Sequence, residues 1–350
     1  MLTLEPEKKP VELTGCSQDE SEVRSFPKCL PSQFSDVVGT TEASKEQTGK
    51  ADDSAPPVKK RRKEEEADST NTESSSSFTP EMETESQRVL YRFRCTGPGA
   101  FQCTLTRMVF VMKKEAEVLY RTCPWPDDLL QSAGKSPAGM LFSIEASEGA
   151  ISQLHLPHCE TKEALLGNGL LSVAHITDNE GMTILEPATI TDTHVLVDVP
   201  HLSLLGLMRS ALQRLMKLPV NGQVLLFHKR PCTLYVLLLQ DNIPLSEVSA
   251  QYEESEHIRV SSECRLIFDQ TYSLRSEPEA SVDPESKPFL TGYGPNFHPT
   301  FVVTMTPDPD RVTLVLQDHQ CSEVWKHGFH LAGPPSQNLS SVGASKVCYE

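Results

Sequence analysis

The sequence lacks net positive charge, long apolar runs and paired cysteines, and its first quarter has few aromatic side chains. Its 48 acidic residues outnumber 32 basic ones, for a formal net charge of −16. Phosphate binding needs a net positive face, so general binding to nucleic acid or to anionic membranes is excluded as a main function. The longest apolar candidate, Val224 to Leu239, is broken by His228, Lys229, Arg230 and Pro231. It cannot cross a bilayer. Met1 to Leu13 carries Glu5, Lys8, Lys9 and Glu12 with no apolar core behind them, which argues against a secretory signal. The ten cysteines, from Cys16 to Cys348, form no CxxC pair. In a chain without an export signal they are expected to be reduced and mostly buried, and the expected location is the cytoplasm, with the nucleus as a second location. No glycine-rich phosphate loop is present, and no cofactor is expected.

Residues 1–86 read as a disordered acidic arm. They are rich in Glu, Asp, Ser, Thr, Lys and Pro and contain only three phenylalanines as aromatic residues. Such a segment buries too little apolar area to offset its chain entropy. Within it, Lys59, Lys60, Arg61, Arg62 and Lys63 follow two prolines and precede Glu64-Glu65-Glu66. The run is a candidate nuclear import signal, with a charge-balanced solvated linker as the other reading. As a nucleic-acid contact it is short and offset by the acids that come after it.

From about Val89 the pattern changes to short segments of alternating or apolar character. Tyr91 to Cys95, 101–105, 108–112 and 140–144 are examples, followed by 151–156, 171–176, 182–186, 194–198, 223–228, 232–239, 257–260, 264–268, 299–305 and 311–316. Gly, Pro, Asn and Asp lie between them. This texture predicts a mainly β chain built as two antiparallel β-sandwiches. The expected divisions are 87–202, 203–333 and a flexible tail over 334–350. Leu204 to Leu218 is expected to form an amphipathic helix, since its Leu and Met residues fall mainly on one helical face. A short helix is expected after Pro244. Asn221-Gly222 is expected to make a tight turn, and Lys326 to His330 an edge strand.

The segment that suggests chemistry is His201-Leu202-Ser203-Leu204-Leu205-Gly206, after Pro200 and the strand His194 to Asp198. A serine pinned there could present its hydroxyl to the carbonyl carbon of Leu202. Twisting the Leu202–Ser203 amide would weaken its resonance and ease the attack. The reaction would be an acyl shift to an ester, then hydrolysis. A serine is a weak nucleophile and needs a base. His175, near the end of the strand 171–176, is the candidate, with Glu180 as a group that could orient the ring. Taken alone these residues are unspecific, because a histidine at a strand end is more often structural. His155, His158 and Cys159 match no standard zinc spacing, so strand-end packing is the better reading and no metal site is expected.

Several blocks carry a resemblance. Leu154-His155-Leu156-Pro157-His158-Cys159 looks like the strand signature of ZU-type domains. Val173-Ala174-His175 through Asn179-Glu180-Gly181-Met182 is similar to the catalytic-histidine strand and turn of the function-to-find (FIIND) family. Pro200 to Gly206 is similar to that family's cleavage junction, and Leu207-Met208 with the Lys287 to Pro307 region looks like its UPA half. The resemblance runs over roughly residues 78–333, in the family's order. The family includes the autoproteolytic modules of inflammasome sensors and, more distantly, a death-domain protein of the DNA-damage response.

The resemblance implies a ZU-like and a UPA-like sandwich, His175 as base, Ser203 as nucleophile and a scissile Leu202–Ser203 bond. It implies a single-turnover regulatory module of inflammasome or cell-death signalling, with an uncut adaptor of the same fold as the alternative. Implied partners are other FIIND or UPA modules and caspase-recruitment-domain proteins, with dipeptidyl peptidases as further candidates and self-association of the C-terminal half as a consequence. Two departures stand out. Leu202 replaces the usual Phe, and the residues up to Glu350 show no six-helix pattern of the kind expected for a caspase-recruitment or death domain.

Overall fold

The computed structural model describes residues 75–166, 171–177, 181–199, 201–210, 216–305 and 309–331. The basic run Lys59 to Lys63, Glu180 and the tail therefore lie outside the described residues. The described chain is mostly β, in four sheets. The first runs, edge to edge, Ser76–Phe78, Gly99–Cys103, Val109–Met112, Ile151–Pro157, His194–Asp198 and Thr189–Ile190. The second runs Gly181–Leu185, Leu171–Thr177, Leu204–Ser210, Lys135–Glu145, Ala116–Cys123, Arg88–Cys95 and Glu81–Glu85. These two pack into the N-terminal sandwich, whose core holds Phe110, Leu154 and Val195 from one sheet and Tyr91, Tyr120 and Leu205 from the other.

The third sheet orders Glu256–Ile258, Pro219–Lys229, Thr233–Gln240, Phe301–Thr304 and Ser281–Asp283, with Glu263–Ile267 also paired to Pro219–Lys229. The fourth orders Ser286–Pro288, Thr271–Glu277, Arg311–Asp318 and Glu323–His330. The two form the C-terminal sandwich. Its third sheet is covered on both faces. Val224, Leu226, Val236 and Leu238 face the core shared with the fourth sheet. The alternating residues Leu225, Phe227, Leu237 and Leu239 belong to the core of the N-terminal sandwich. A strand buried on both faces must be apolar at every position, which is why Val224-Leu225-Leu226-Phe227 reads as a continuous run.

Three expectations are corrected. The helix expected over 204–218 is overturned in its first half, where Leu204–Ser210 is a strand paired on one side with Lys135–Glu145 and on the other with Leu171–Thr177, while 211–215 lie outside the described residues. Leu205 to Arg209 are all buried, so both strand faces carry apolar side chains, and that mimics the composition of a buried helix. The consequence for organisation is that the strand after residue 203 belongs to the N-terminal sandwich, and the passage to the C-terminal one falls between Ser210 and Pro219. Asn221 and Gly222 are not a turn but lie inside Pro219–Lys229, opposite Arg265 and Cys264. Gly222 is needed because a Cβ there would sit 2.6 Å from Leu266 Cδ1. The acidic arm ends earlier than 86, since Ser76–Phe78 and Glu81–Glu85 are strands. Phe78 stacks on Phe93 with ring centroids 3.7 Å apart, anchoring a segment that otherwise has the composition of a linker. The short helix after Pro244 is present as Leu245–Ser249, and Glu323–His330 is an edge strand.

Gly206 marks the tightest packing on the strand Leu204–Ser210. A Cβ there would lie 2.6 Å from Trp125 Cζ2 and 3.0 Å from the carbonyl oxygen of Met140. The indole cannot easily step aside, because its Nε1 donates to the Gly139 carbonyl at 2.9 Å. Overpacking of this kind costs about 1–3 kcal/mol. Gly206→Ala is thus expected to lower the unfolding free energy by that amount in denaturant titration, whereas Gly97→Ala, with nothing within 4 Å of the added carbon, leaves it unchanged.

Candidate functional site: the junction between two sheets

The residues before and after the junction belong to opposite sheets of one sandwich. His194–Asp198 lies in the first sheet, and the Val199 amide donates to the Ser152 carbonyl at 3.0 Å. Leu204–Ser210 lies in the second, and the Ile144 amide donates to the Ser203 carbonyl at 3.3 Å. The chain therefore passes from the first sheet to the second between Val199 and Ser203. Pro200 lies outside the described residues.

The side chains take their places from that crossing. Leu202 is half-buried against the N-terminal core. Ser203 is half-buried, with its hydroxyl donating to the Leu204 carbonyl at 3.4 Å. Neither Leu202 nor Ser203 has a left-handed backbone, and the bond between them is trans. His175 sits in Leu171–Thr177, directly opposite Leu205. It shares a strand face with Leu171 and Val173, both in the core, which is why it is 2% exposed. Its Nε2 is 3.1 Å from the carbonyl oxygen of His201, and the two imidazoles meet edge to face at 4.4 Å between centroids. Thr183, opposite His175 on Gly181–Leu185, places its hydroxyl oxygen 3.4 Å from His175 Nδ1 and donates to the His175 carbonyl at 3.2 Å. The fold thus brings His175 to the residue two before Ser203. Sequence reasoning missed Thr183 and the ring of His201. The strict alternation of 173, 175 and 183, 185 across a hairpin would have found the first.

The other candidate residues are used internally. His155 Nε2 meets Gln153 Oε1 at 2.9 Å. His158 Nε2 meets the Thr191 carbonyl at 2.9 Å, and its Nδ1 accepts from the Glu160 amide at 3.1 Å. Cys159 is buried beside the Tyr293 hydroxyl, and burial pushes its thiol up to about 12, so it stays neutral.

The strand beyond the junction is locked into both sandwiches. Arg209 Nη1 lies 3.1 Å from Glu160 Oε1, with both side chains almost fully buried at 6% and 3% exposure. Its guanidinium also lies 4.7 Å over the Phe268 ring of the C-terminal sandwich. Burial pushes the Glu160 carboxyl up and Arg209 pulls it back; Arg209 stays charged despite its own burial, chiefly because Glu160 faces it. Elsewhere Tyr91 and Thr122 of the second sheet donate to the two oxygens of Glu247, at 2.8 and 2.9 Å. Glu247 belongs to the helix Leu245–Ser249, and its carboxyl is pushed up by burial and drawn back by those two bonds. Asn242 donates to the carbonyls of Ala138 and Pro157, and Arg107 to that of Asp241.

These features define a class: a module of two β-sandwiches in which the strand after a sheet-to-sheet crossing is clasped by both. A family model described as "Function to find" matches residues 84–215, and one described as "UPA-FIIND domain" matches 220–329. The chain belongs to this function-to-find family. It is similar to mouse "NACHT, LRR and PYD domains-containing protein 1a", with 26% identity over 165 residues, 45% of this chain and 13% of the relative. The rat "NACHT, LRR and PYD domains-containing protein 1a allele 1" is 27% identical over 161 residues, with the same coverage, 45% and 13%. The mouse "NACHT, LRR and PYD domains-containing protein 1b allele 1" is 27% identical over 128 residues, 34% of this chain and 10% of the relative. The match spans 13% or less of the length of these relatives.

Removing one partner of a buried ion pair leaves the other uncompensated, at a cost of about 3–5 kcal/mol. Arg209→Met is expected to destabilise the module by that order, and Glu160→Met/Arg209→Met to recover most of the loss, both read from denaturant unfolding. The carboxyl of Asp241 gives a pH dependence. Burial pushes it up to about 6, with Arg107 pulling it down and Glu263 pushing it up. A raised folded value means that the fold holds this proton more tightly than the unfolded chain. The contribution is therefore complete below the unfolded value and lost as pH rises through about 6. Asp241→Asn should exceed the wild type in stability near pH 7.5, and the difference should shrink on acidification to about pH 5. A difference that stays constant over that range would contradict the assignment.

Proposed function

We propose that this chain is a self-cleaving regulatory module of inflammasome or cell-death signalling, cut once between Leu202 and Ser203, whose two fragments stay associated. The observation that carries the reading is the place of Ser203. It stands where the chain passes from one sheet to the other into a strand pinned on both sides, two residues after the carbonyl that meets a buried histidine.

In the proposed reaction the Ser203 hydroxyl gives its proton to His175 Nε2 as Oγ bonds to the Leu202 carbonyl carbon. The bond from that carbon to the Ser203 nitrogen then breaks, and the proton goes to the departing amine. The product is an ester between Leu202 and Ser203 Oγ. Water hydrolyses it to a Leu202 carboxylate and a free Ser203 amine. Histidine suits this because its neutral ring accepts a proton near neutral pH. The nucleophile is consumed, so the reaction is a single turnover.

The cut would leave Leu204–Ser210 hydrogen-bonded between two strands of the N-terminal fragment, with Arg209 against Glu160. Freeing the C-terminal fragment would then require removal or unfolding of the N-terminal one. Family resemblance supplies the partners we assign: other FIIND or UPA modules and caspase-recruitment-domain proteins, with dipeptidyl peptidases as restraining partners. We assign the cytoplasm as its place. The described cysteines are all free thiols, as a reducing compartment requires. A nuclear pool would depend on Lys59 to Lys63.

One observation favours the uncut adaptor instead. His175 Nε2 meets the His201 carbonyl, one residue short of the carbonyl to be attacked. Expression of the chain, a denaturing gel and sequencing of any new N-terminus separate the two. A fragment beginning Ser203-Leu204-Leu205, absent in Ser203→Ala and slowed in His175→Ala, together with co-elution of both pieces in native buffer, is the expected result. A single full-length band leaves the adaptor.

A further inference from the structure

We propose that the free edge of the strand Gly181–Leu185 docks an extended, uncharged peptide segment flanked by Lys or Arg, which adds to the second sheet as a further strand. The proposal does not depend on the cleavage. Gly181–Leu185 ends the second sheet: it pairs with Leu171–Thr177 on one side and with no described strand on the other. An open edge presents a row of unpaired backbone N–H and C=O groups, and proteins guard such edges with charge, proline or shortness. The other described strands with a single partner are guarded. Glu81–Glu85 carries three glutamates, Glu263–Ile267 a glutamate and an arginine, and Glu323–His330 a glutamate and a lysine. Each of the remaining ones is three residues long or shorter. Gly181–Leu185 has five residues, Gly-Met-Thr-Ile-Leu, with neither charge nor proline.

The side chains and the ends of the strand say what fits it. Met182 and Ile184 share one face, and Ile184 is 43% exposed, an apolar side chain in water that an added strand would cover. Thr183, on the other face, is exposed too. Neutral, β-branched residues across from them suit both. Acids bracket this neutral stretch: Asp178 and Glu180 precede it in the sequence, and the exposed Glu186 follows it. Lysine or arginine at both ends of an incoming strand therefore meets opposite charge, and glutamate or aspartate there is repelled. The same bracket disfavours a second copy of this chain. Antiparallel self-pairing centred on Thr183 puts positions 186 and 180 in register, and both are glutamate. A neutral segment with basic flanks satisfies the edge and its ends together.

The test uses the full chain carrying Ser203→Ala, so that no cut intervenes, and a fluorescent peptide, Lys-Lys-Val-Thr-Val-Thr-Val-Lys-Lys. Anisotropy titration in low-salt buffer is expected to show saturable binding, and hydrogen exchange to slow at the amides of 181–185. Replacing the peptide's lysines by glutamate should weaken binding at least about tenfold, as like-charge contacts do. Ile184→Lys, which installs the missing guard, should weaken it at least about fivefold. Glu186→Lys, at an exposed residue, should weaken it as well and gives the same reading if Ile184→Lys fails to fold. Met82→Lys, on the opposite edge of the same sheet, should leave it unchanged. Equal affinity for the glutamate peptide, binding that survives both Ile184→Lys and Glu186→Lys, or protection placed outside 181–185 overturns the proposal. So does the absence of binding up to about 1 mM peptide. A peptide-free chain that dimerises in sedimentation, and turns monomeric in Ile184→Lys, makes a second copy the occupant and overturns it too.

Discussion

The pairing of Leu204–Ser210 on both of its edges is the constraint on which the rest of the structure depends. A strand so placed cannot shift by one residue without turning Leu205 and Leu207 out of the core. Its register in turn fixes where Ser203 ends up, which side of the sandwich Leu202 comes from and which residue stands opposite His175. Gly206 lets the strand lie under Trp125, and Arg209 ties its far end to Glu160 and Phe268. The chemistry proposed for the junction is therefore a by-product of how one short segment is gripped.

Buried charge is the second organising theme. Arg209 with Glu160, and Glu247 with Tyr91 and Thr122, sit where the two sandwiches meet. An interface made only of Leu and Val would tolerate sliding, because dispersion contacts are not directional. Groups that need a specific oxygen or nitrogen opposite them do not tolerate it, since each one unpaired inside the protein costs free energy. The apolar surface supplies the attraction between the halves, and these few polar contacts set their relative position.

Much of the architecture was legible in the sequence. Short apolar segments separated by Gly, Pro, Asn and Asp gave the β class, and the strands at 151–156, 171–176 and 194–198 fall close to the observed Ile151–Pro157, Leu171–Thr177 and His194–Asp198. The errors share one cause. Where a strand is covered on both faces, alternation vanishes, so 204–210 resembled a helix and the passage between sandwiches was placed too early. Edge strands such as Glu81–Glu85 fail in the opposite way, because a strand exposed throughout carries no apolar signal. At the site, His175 and Ser203 were legible as residue types at a turn and a strand end. Thr183 was missed, since its relation to His175 emerges only when the register of the hairpin is laid out.

The third sheet carries a consequence for solubility. Leu225, Phe227, Leu237 and Leu239 are covered by the N-terminal sandwich, although they belong to the C-terminal one. Stripped of that cover, the C-terminal piece would present an oily, flat β surface to water, a stickiness that exposed patches of this kind share. The N-terminal sandwich is in this sense a cap fitted to one particular hazard, and the lifetime of the capped state is set by how slowly the cap lets go.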